Sequence, residues 1–116
     1  MFGFSTNTYA FVYLDSVSVV DVDNPSVQLL TNGGFDNASN LTGWTQLCAS
    51  SCTTGFSGRI LTNTTCHSGN CYYDHCSTGY DFIAQTFSAT VGDIYTISFW
   101  YQLTGFSTMK IYANIG

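Results

Sequence analysis

Residues 93–103 read Asp-Ile-Tyr-Thr-Ile-Ser-Phe-Trp-Tyr-Gln-Leu. Tyr95, Ile97, Phe99, Tyr101 and Leu103 alternate with Ile94, Thr96, Ser98, Trp100 and Gln102, the period of two that puts successive side chains on opposite faces of a strand. Downstream, Met109, Ile111, Ala113 and Ile115 alternate in the same way with Lys110, Tyr112 and Asn114. Upstream, Phe11–Val20 is β-branched and aromatic with polar residues on alternate positions. Ser26–Leu30, Cys71–Asp74 and Phe82–Phe87 are shorter strand candidates. Turn signals fall between them: Asp23-Asn-Pro, Asn32-Gly-Gly, Ser68-Gly-Asn, Val91-Gly-Asp and Thr104-Gly. No stretch carries a helical period, so the chain reads as all-β, an antiparallel sandwich or barrel. Gln46–Gly69 has no clear period and holds three cysteines, which reads as a long surface loop pinned by disulfides.

The chain has 116 residues, a net charge of −5 and only 8% charged residues, while 16% are aromatic. Such a sequence is too apolar to be disordered and too acidic to neutralise phosphates, which excludes nucleic acid as a partner. A coiled coil is excluded as well, because Glu is absent and Lys and Arg total two. A chain of this size makes one domain and buries about 65% of its unfolded surface. Five cysteines and three sequons (Asn37-Ala-Ser, Asn40-Leu-Thr, Asn63-Thr-Thr) point to an oxidising, secreted or cell-surface setting. No run is long and apolar enough to span a membrane. The first residues, Met-Phe-Gly-Phe-Ser-Thr-Asn-Thr, lack the basic and apolar regions of a secretory signal, so the chain is read as a piece of a longer product.

Several motifs carry a resemblance. Leu29-Leu-Thr-Asn-Gly-Gly-Phe-Asp36 with Leu41-Thr-Gly-Trp44 resembles the opening of the galactose-binding-like β-jelly-roll modules, among which extracellular carbohydrate-binding modules are prominent. Ile83-Ala-Gln-Thr-Phe87 and Gly92–Trp100 resemble that family's next hallmark, a strand and then a glycine turn into a core strand. Cys66-His-Ser-Gly-Asn-Cys-Tyr-Tyr-Asp74 is similar to its Ser-Gly-aromatic strand start, and Tyr13-Leu-Asp-Ser-Val-Ser-Val19 to its closing strand. In the family that strand comes last, whereas here it comes first, and the strand expected between Ala113 and Phe2 is missing. Three arrangements follow: a tandem array cut in mid-repeat, a strand donated to a neighbouring subunit, or a circular permutant folding back on itself. The expectation is pairing outside the module, with Phe11, Tyr13, Leu14, Val17 and Val19 as the assembly strand. Residues 1–20 then form the donor or preceding-repeat segment, 21–26 a linker, and 27–116 a jelly-roll body lacking its closing strands.

Among the cysteines, Cys48–Cys52 and Cys66–Cys71 close the shortest loops, leaving Cys76 unpaired or bridged to another chain, although Cys66–Cys76 would close as easily. Cys66, His67, Cys71, His75 and Cys76 include both zinc ligand types but not the tight spacings of zinc sites, so zinc is set aside. The resemblance implies a structural calcium ion between Asp36 and Asp15, whose hard oxygens suit it. Trp100, Tyr112 and Tyr73 lie opposite the core positions of their strands, with Gln102 and Asn114 beside the first two, a candidate sugar-binding platform. No paired carboxylates and no Gly-x-Ser-x-Gly elbow are evident, so the chain is read as non-enzymatic. The resulting expectation is a glycosylated extracellular structural or adhesive module that assembles with copies of itself. The alternative is a carbohydrate-binding module.

Overall fold

The structure, a computed structural model, describes residues 1–5, 10–37, 40–105 and 110–113. Nine strands follow one another among the described residues: β1 (Phe2–Ser5), β2 (Phe11–Asp21), β3 (Asn24–Gln28), β4 (Thr45–Leu47), β5 (Thr54–Thr62), β6 (Asn70–Thr78), β7 (Asp81–Ala84), β8 (Tyr95–Thr104) and β9 (Lys110–Ala113). A single 3-10 turn, Ala49–Ser51, is the one helical element among the described residues. All pairings are antiparallel and make two sheets. The first runs β4-β7-β1-β9. In the second, β8 follows one side of β2 from Phe11 to Asp21, while β6 and β3 share the other side and β5 pairs with β6. The core lies between the sheets, as in a β-sandwich: Phe2 and Phe4 of β1 and Ile83 of β7 meet Val12, Leu14 and Val17 of β2 and Tyr72 of β6. Each such fully buried large side chain contributes about 1.5–3 kcal/mol.

The N-terminal segment departs from the expectation of pairing outside its module. β1 and β2 take central places in the two sheets of their own chain. Leu14, Val17 and Val19 point into the chain's own core, Tyr13 is buried on the other face, and Phe11 is half-buried beside it. The segment 21–26, expected as a linker, instead ends β2, turns at Val22 and Asp23 and begins β3, with Asp21 Oδ1 accepting the Asp23 N–H at 2.8 Å. Beyond it the chain stays beside β2: Gln28 Oε1 accepts the Val19 N–H and the Leu29 N–H reaches the Val19 carbonyl, each at 2.9 Å. A hairpin needs no long linker, because the returning strand pairs immediately.

A bulge between Asp15 and Ser18, with Ser16 left-handed, interrupts β2. It frees the Val17 N–H to donate to the Gly33 carbonyl at 2.9 Å, and a Cβ at Gly33 would collide with the Val17 carbonyl. That close approach explains the glycine of Asn32-Gly-Gly-Phe. Asn32 organises the turn: its carbonyl accepts the Trp44 indole N–H at 3.0 Å, and its side chain bonds the Asn37 N–H and the Thr42 carbonyl. Phe35 and Trp44, stacked 5.4 Å apart, close that end of the core.

Gln46–Gly69 is more ordered than a loop, since it holds part of β4, the 3-10 turn and all of β5. Two register shifts in β5, between Thr54 and Gly55 and between Phe56 and Arg59, break the alternation that would have announced a strand.

Candidate functional site

The cysteines form Cys52–Cys76 and Cys66–Cys71, and Cys48 is free and exposed. The expected Cys48–Cys52 bridge is therefore corrected. The register of β5 on β6 decides it: Thr54 pairs with Thr78 and Gly55 with Cys76, which brings Cys52 to a Cα separation of 5.3 Å from Cys76. Cys48 caps the 3-10 turn in a left-handed conformation and faces outward. Four of the five sulfurs are thus unavailable as zinc thiolates, and two disulfides fit an oxidising compartment. No group of three or more His, Cys, Asp or Glu that could hold a metal ion lies together among the described residues.

Asp15 and Asp36, far apart in sequence, meet on one loop, residues 67–70. Asp15 is fully buried: its Oδ2 accepts the Ser68 N–H at 2.9 Å and its Oδ1 the Ser16 N–H at 2.6 Å. Asp36 Oδ1 accepts the Asn70 N–H at 2.7 Å, and a Cβ at Gly69 would strike that oxygen. Burial raises the Asp15 carboxyl above its ordinary range; the two N–H bonds and then His67 oppose that shift, and the Asp36 charge adds to it. Carboxylate oxygens are the hard donors that calcium takes, about six to eight per ion, and three of the four in this pair accept backbone N–H groups.

The sugar platform expected at Trp100, Tyr112, Tyr73, Gln102 and Asn114 does not lie on one face. Pairing of Tyr13 with Gln102 and Tyr73, and of Asp15 with Trp100, puts Trp100, Gln102 and Tyr73 on the outward face of the second sheet. Tyr112 belongs to β9 of the first sheet, and Asn114 lies outside the described residues. The outward face holds aromatic rings that the sequence reading did not assign to it. Phe11 stacks on Tyr73 at 5.6 Å and on His75 at 4.2 Å; Tyr13 lies 4.9 Å and Phe56 5.2 Å from Tyr73. Arg59, one of the two basic side chains in the sequence, sits 4.1 Å above the Phe56 ring, and Trp100 stacks on His67 at 5.3 Å. Burial raises the Tyr73 hydroxyl above its ordinary pKa. The signal that could have found this face is parity: Phe11 and Tyr13 alternate with Val12 and Leu14, and Tyr73 and His75 with Tyr72 and Asp74.

The other side of the second sheet ends abruptly. β8 has β2 on one edge and, among the described residues, no strand on the other. Its inward positions, set by Leu103 opposite Val12 and Tyr101 opposite Leu14, remain open: Tyr101 is 54% and Leu103 42% exposed. Near the start of β8 an apolar cleft of about 390 Å³ opens between the sheets, walled by Phe2, Val17, Val19, Trp44, Phe87 and Ile97. Asn37, Asn40 and Asn63 are all exposed, and the Asn63 side chain accepts the Thr65 N–H of its own sequon at 2.8 Å. No helix among the described residues is long and apolar enough to cross a membrane. No protein-family model matches the chain, and no curated protein or solved structure matches it either.

Proposed function

We propose that the chain is a jelly-roll-type structural or adhesive module of a secreted, N-glycosylated assembly, joined to its neighbours by strand addition at the β8 edge. The carrying observation is that edge: a ten-residue strand with, among the described residues, no partner on one side and large apolar side chains open on its inward face. Edge strands that stay alone are short, bulged or charged, and β8 is none of these. A strand from a neighbouring copy would satisfy its backbone groups and cover Tyr101 and Leu103 together, and the exposed sequons would carry glycans outward. The head-to-tail contact then uses the open edge rather than removal of residues 1–20 from their own sheets. Light scattering with negative-stain imaging tests it. The wild-type protein forms oligomers or filaments, and Tyr101→Lys with Leu103→Lys, which put charge on the inward edge, gives soluble monomers. A wild-type protein that stays monomeric at high concentration overturns the reading.

Glycan recognition is the second reading, favoured by the ring cluster on the outward face of the second sheet. Aromatic faces beside Gln102 and Arg59 suit the apolar faces and hydroxyls of a sugar. Glycan-array and insoluble-polysaccharide binding by the wild type, lost in Phe56→Ala and Trp100→Ala, supports it; silence in both assays removes it. A structural calcium ion on Asp15 and Asp36 belongs with either reading. It would tie the 67–70 loop to β2, and a melting temperature that rises with calcium, falls with EGTA and ignores both in Asp36→Asn supports it. A melting temperature that ignores calcium in the wild type leaves the two carboxylates as loop anchors.

A further inference from the structure

We propose that Asp74 and Asp81 share one proton and form an alkali-sensitive latch between the two sheets. Asp74 stands on the inward face of β6 opposite Val12, and Asp81 opens β7 opposite Phe4. The turn between them carries the chain from one sheet to the other, so both carboxyls come to the corner where the sheets join. Both are fully buried. Asp74 Oδ2 accepts the Cys76 N–H at 3.1 Å, and Asp81 Oδ2 accepts the Gly58 N–H at 3.0 Å and, at the 3.5 Å limit, the Tyr72 hydroxyl. The remaining oxygen of each, Oδ1, is buried without a partner. Asp74 lies two residues beyond Tyr72 on the same face of β6, and the Tyr72 hydroxyl reaches Asp81, so both carboxyls gather at one buried side chain.

An unmatched pair of buried carboxylates is far too costly to leave ionised. Among the described residues the neighbouring elements bring no cation to the pair. Arg59 of β5 and His75 of β6 belong to the outward face, over and beside Phe56. β1, β2 and β4 contribute Phe4, Val12 and Gln46, and the Gln46 amide donates to the Gly58 carbonyl at 2.9 Å. Among the described residues the other titratable group at the pair is Tyr72, whose ionisation is pushed upward by burial and then by the charges of Asp81 and Asp74. A single proton satisfies both orphan oxygens: the Asp74 carboxyl donates and the Asp81 carboxylate accepts. Desolvation, followed by the Asp81 charge, pushes Asp74 up to about 8.

The sign follows from linkage. Between the ordinary carboxylate range and about pH 8 the folded chain holds a proton that the unfolded chain has lost. Stability therefore falls as pH rises through that interval, and the latch is fully lost above about pH 8, where two negative charges face each other beside Cys52–Cys76.

Thermal melting of the wild type, Asp74→Asn and Asp81→Asn at steps from pH 5 to pH 9 tests the proposal. An amide at position 74 keeps a donor toward Asp81 and has no proton to lose. The wild-type melting temperature falls with pH, and that of Asp74→Asn stays flat over the same range. Parallel pH profiles for the two proteins overturn the proposal. Infrared spectroscopy of the wild type reads the proton without any variant. A neutral-carboxyl carbonyl band at pH 7 that disappears above about pH 8 supports the latch. Absence of that band at pH 7 overturns it. A melting temperature raised by calcium in the wild type and in Asp36→Asn, but not in Asp74→Asn, also overturns it, because an ion would then bridge the pair.

Discussion

Replacing both Cys52 and Cys76 by alanine is the sharpest perturbation of this fold. The two cysteines are 24 residues apart, and cross-linking a loop of that length removes about 3.5 kcal/mol of unfolded-state entropy. Cys66 and Cys71 are only five residues apart, which gives about 2 kcal/mol on the same basis. A domain of this size loses about 4 °C of melting temperature per kcal/mol, so Cys52→Ala with Cys76→Ala should cost about 14 °C and Cys66→Ala with Cys71→Ala about 8 °C. Cys48→Ala should cost almost nothing, since that thiol is free and exposed. The covalent part of the argument has its own assay. Arg59 and Lys110 are the only basic residues, so trypsin yields fragments 1–59, 60–110 and 111–116. Without reductant the first two remain joined, because Cys52 lies in one and Cys76 in the other; a Cys48–Cys52 bridge would let them separate. Separation refutes the pairing. Equal melting losses for the two pairs refute the loop-length reasoning even if the pairing is right.

Other perturbations follow from close contacts. A methyl group at Gly58 would overlap the ring carbon and hydroxyl of the fully buried Tyr72, so Gly58→Ala should cost about 3 kcal/mol, read by urea denaturation. Trp44→Phe removes the indole donor to the Asn32 carbonyl and should cost about 1–2 kcal/mol in the same assay. Phe35→Ala empties a fully buried site between Trp44 and Tyr72 and should cost about 3–5 kcal/mol. Asp15→Asn turns an amide N–H toward one of two backbone donors, Ser16 or Ser68. It should cost about 1–3 kcal/mol and speed hydrogen exchange in the 67–70 loop.

What could be read without coordinates was what local periodicity encodes. The alternation from Tyr95 to Leu103 became β8, and Phe11–Val20 became β2 almost residue for residue. β5 escaped because Gly55, Gly58 and two register shifts scramble its period, although its backbone pairs along most of β6. The same blind spot decided the cysteines. Loop length alone favours Cys48–Cys52, whereas the partner of Cys52 is fixed by a strand register that no short window contains. Asp74 and Asp81 looked like ordinary strand and turn acids, because burial between two sheets is a property of topology and leaves no mark in spacing. Phe11–Val20 was recognisable as a strand. Its partners were not, since a hairpin at Asp21–Asn24 serves pairing within the chain with the same side chains that would serve pairing outside it.

The two functional readings place their chemistry on the same sheet, and that makes them separable rather than rival. Strand addition uses the outer edge and inward face of β8, at Tyr101 and Leu103, while sugar contact uses the outward face at Phe56, Tyr73 and Trp100. Successive residues of β8 point to opposite faces, so Leu103→Lys changes the edge without altering the Trp100 ring. If both readings hold, a strand added at β8 places outward faces side by side and binding to a multivalent glycan gains from avidity. Tyr101→Lys with Leu103→Lys should then leave the affinity for a monovalent sugar unchanged and weaken retention on polysaccharide by about 10²-fold or more. Equal loss in both assays would mean that the edge variant disturbs the sheet itself, and the separation of edge from face would fail.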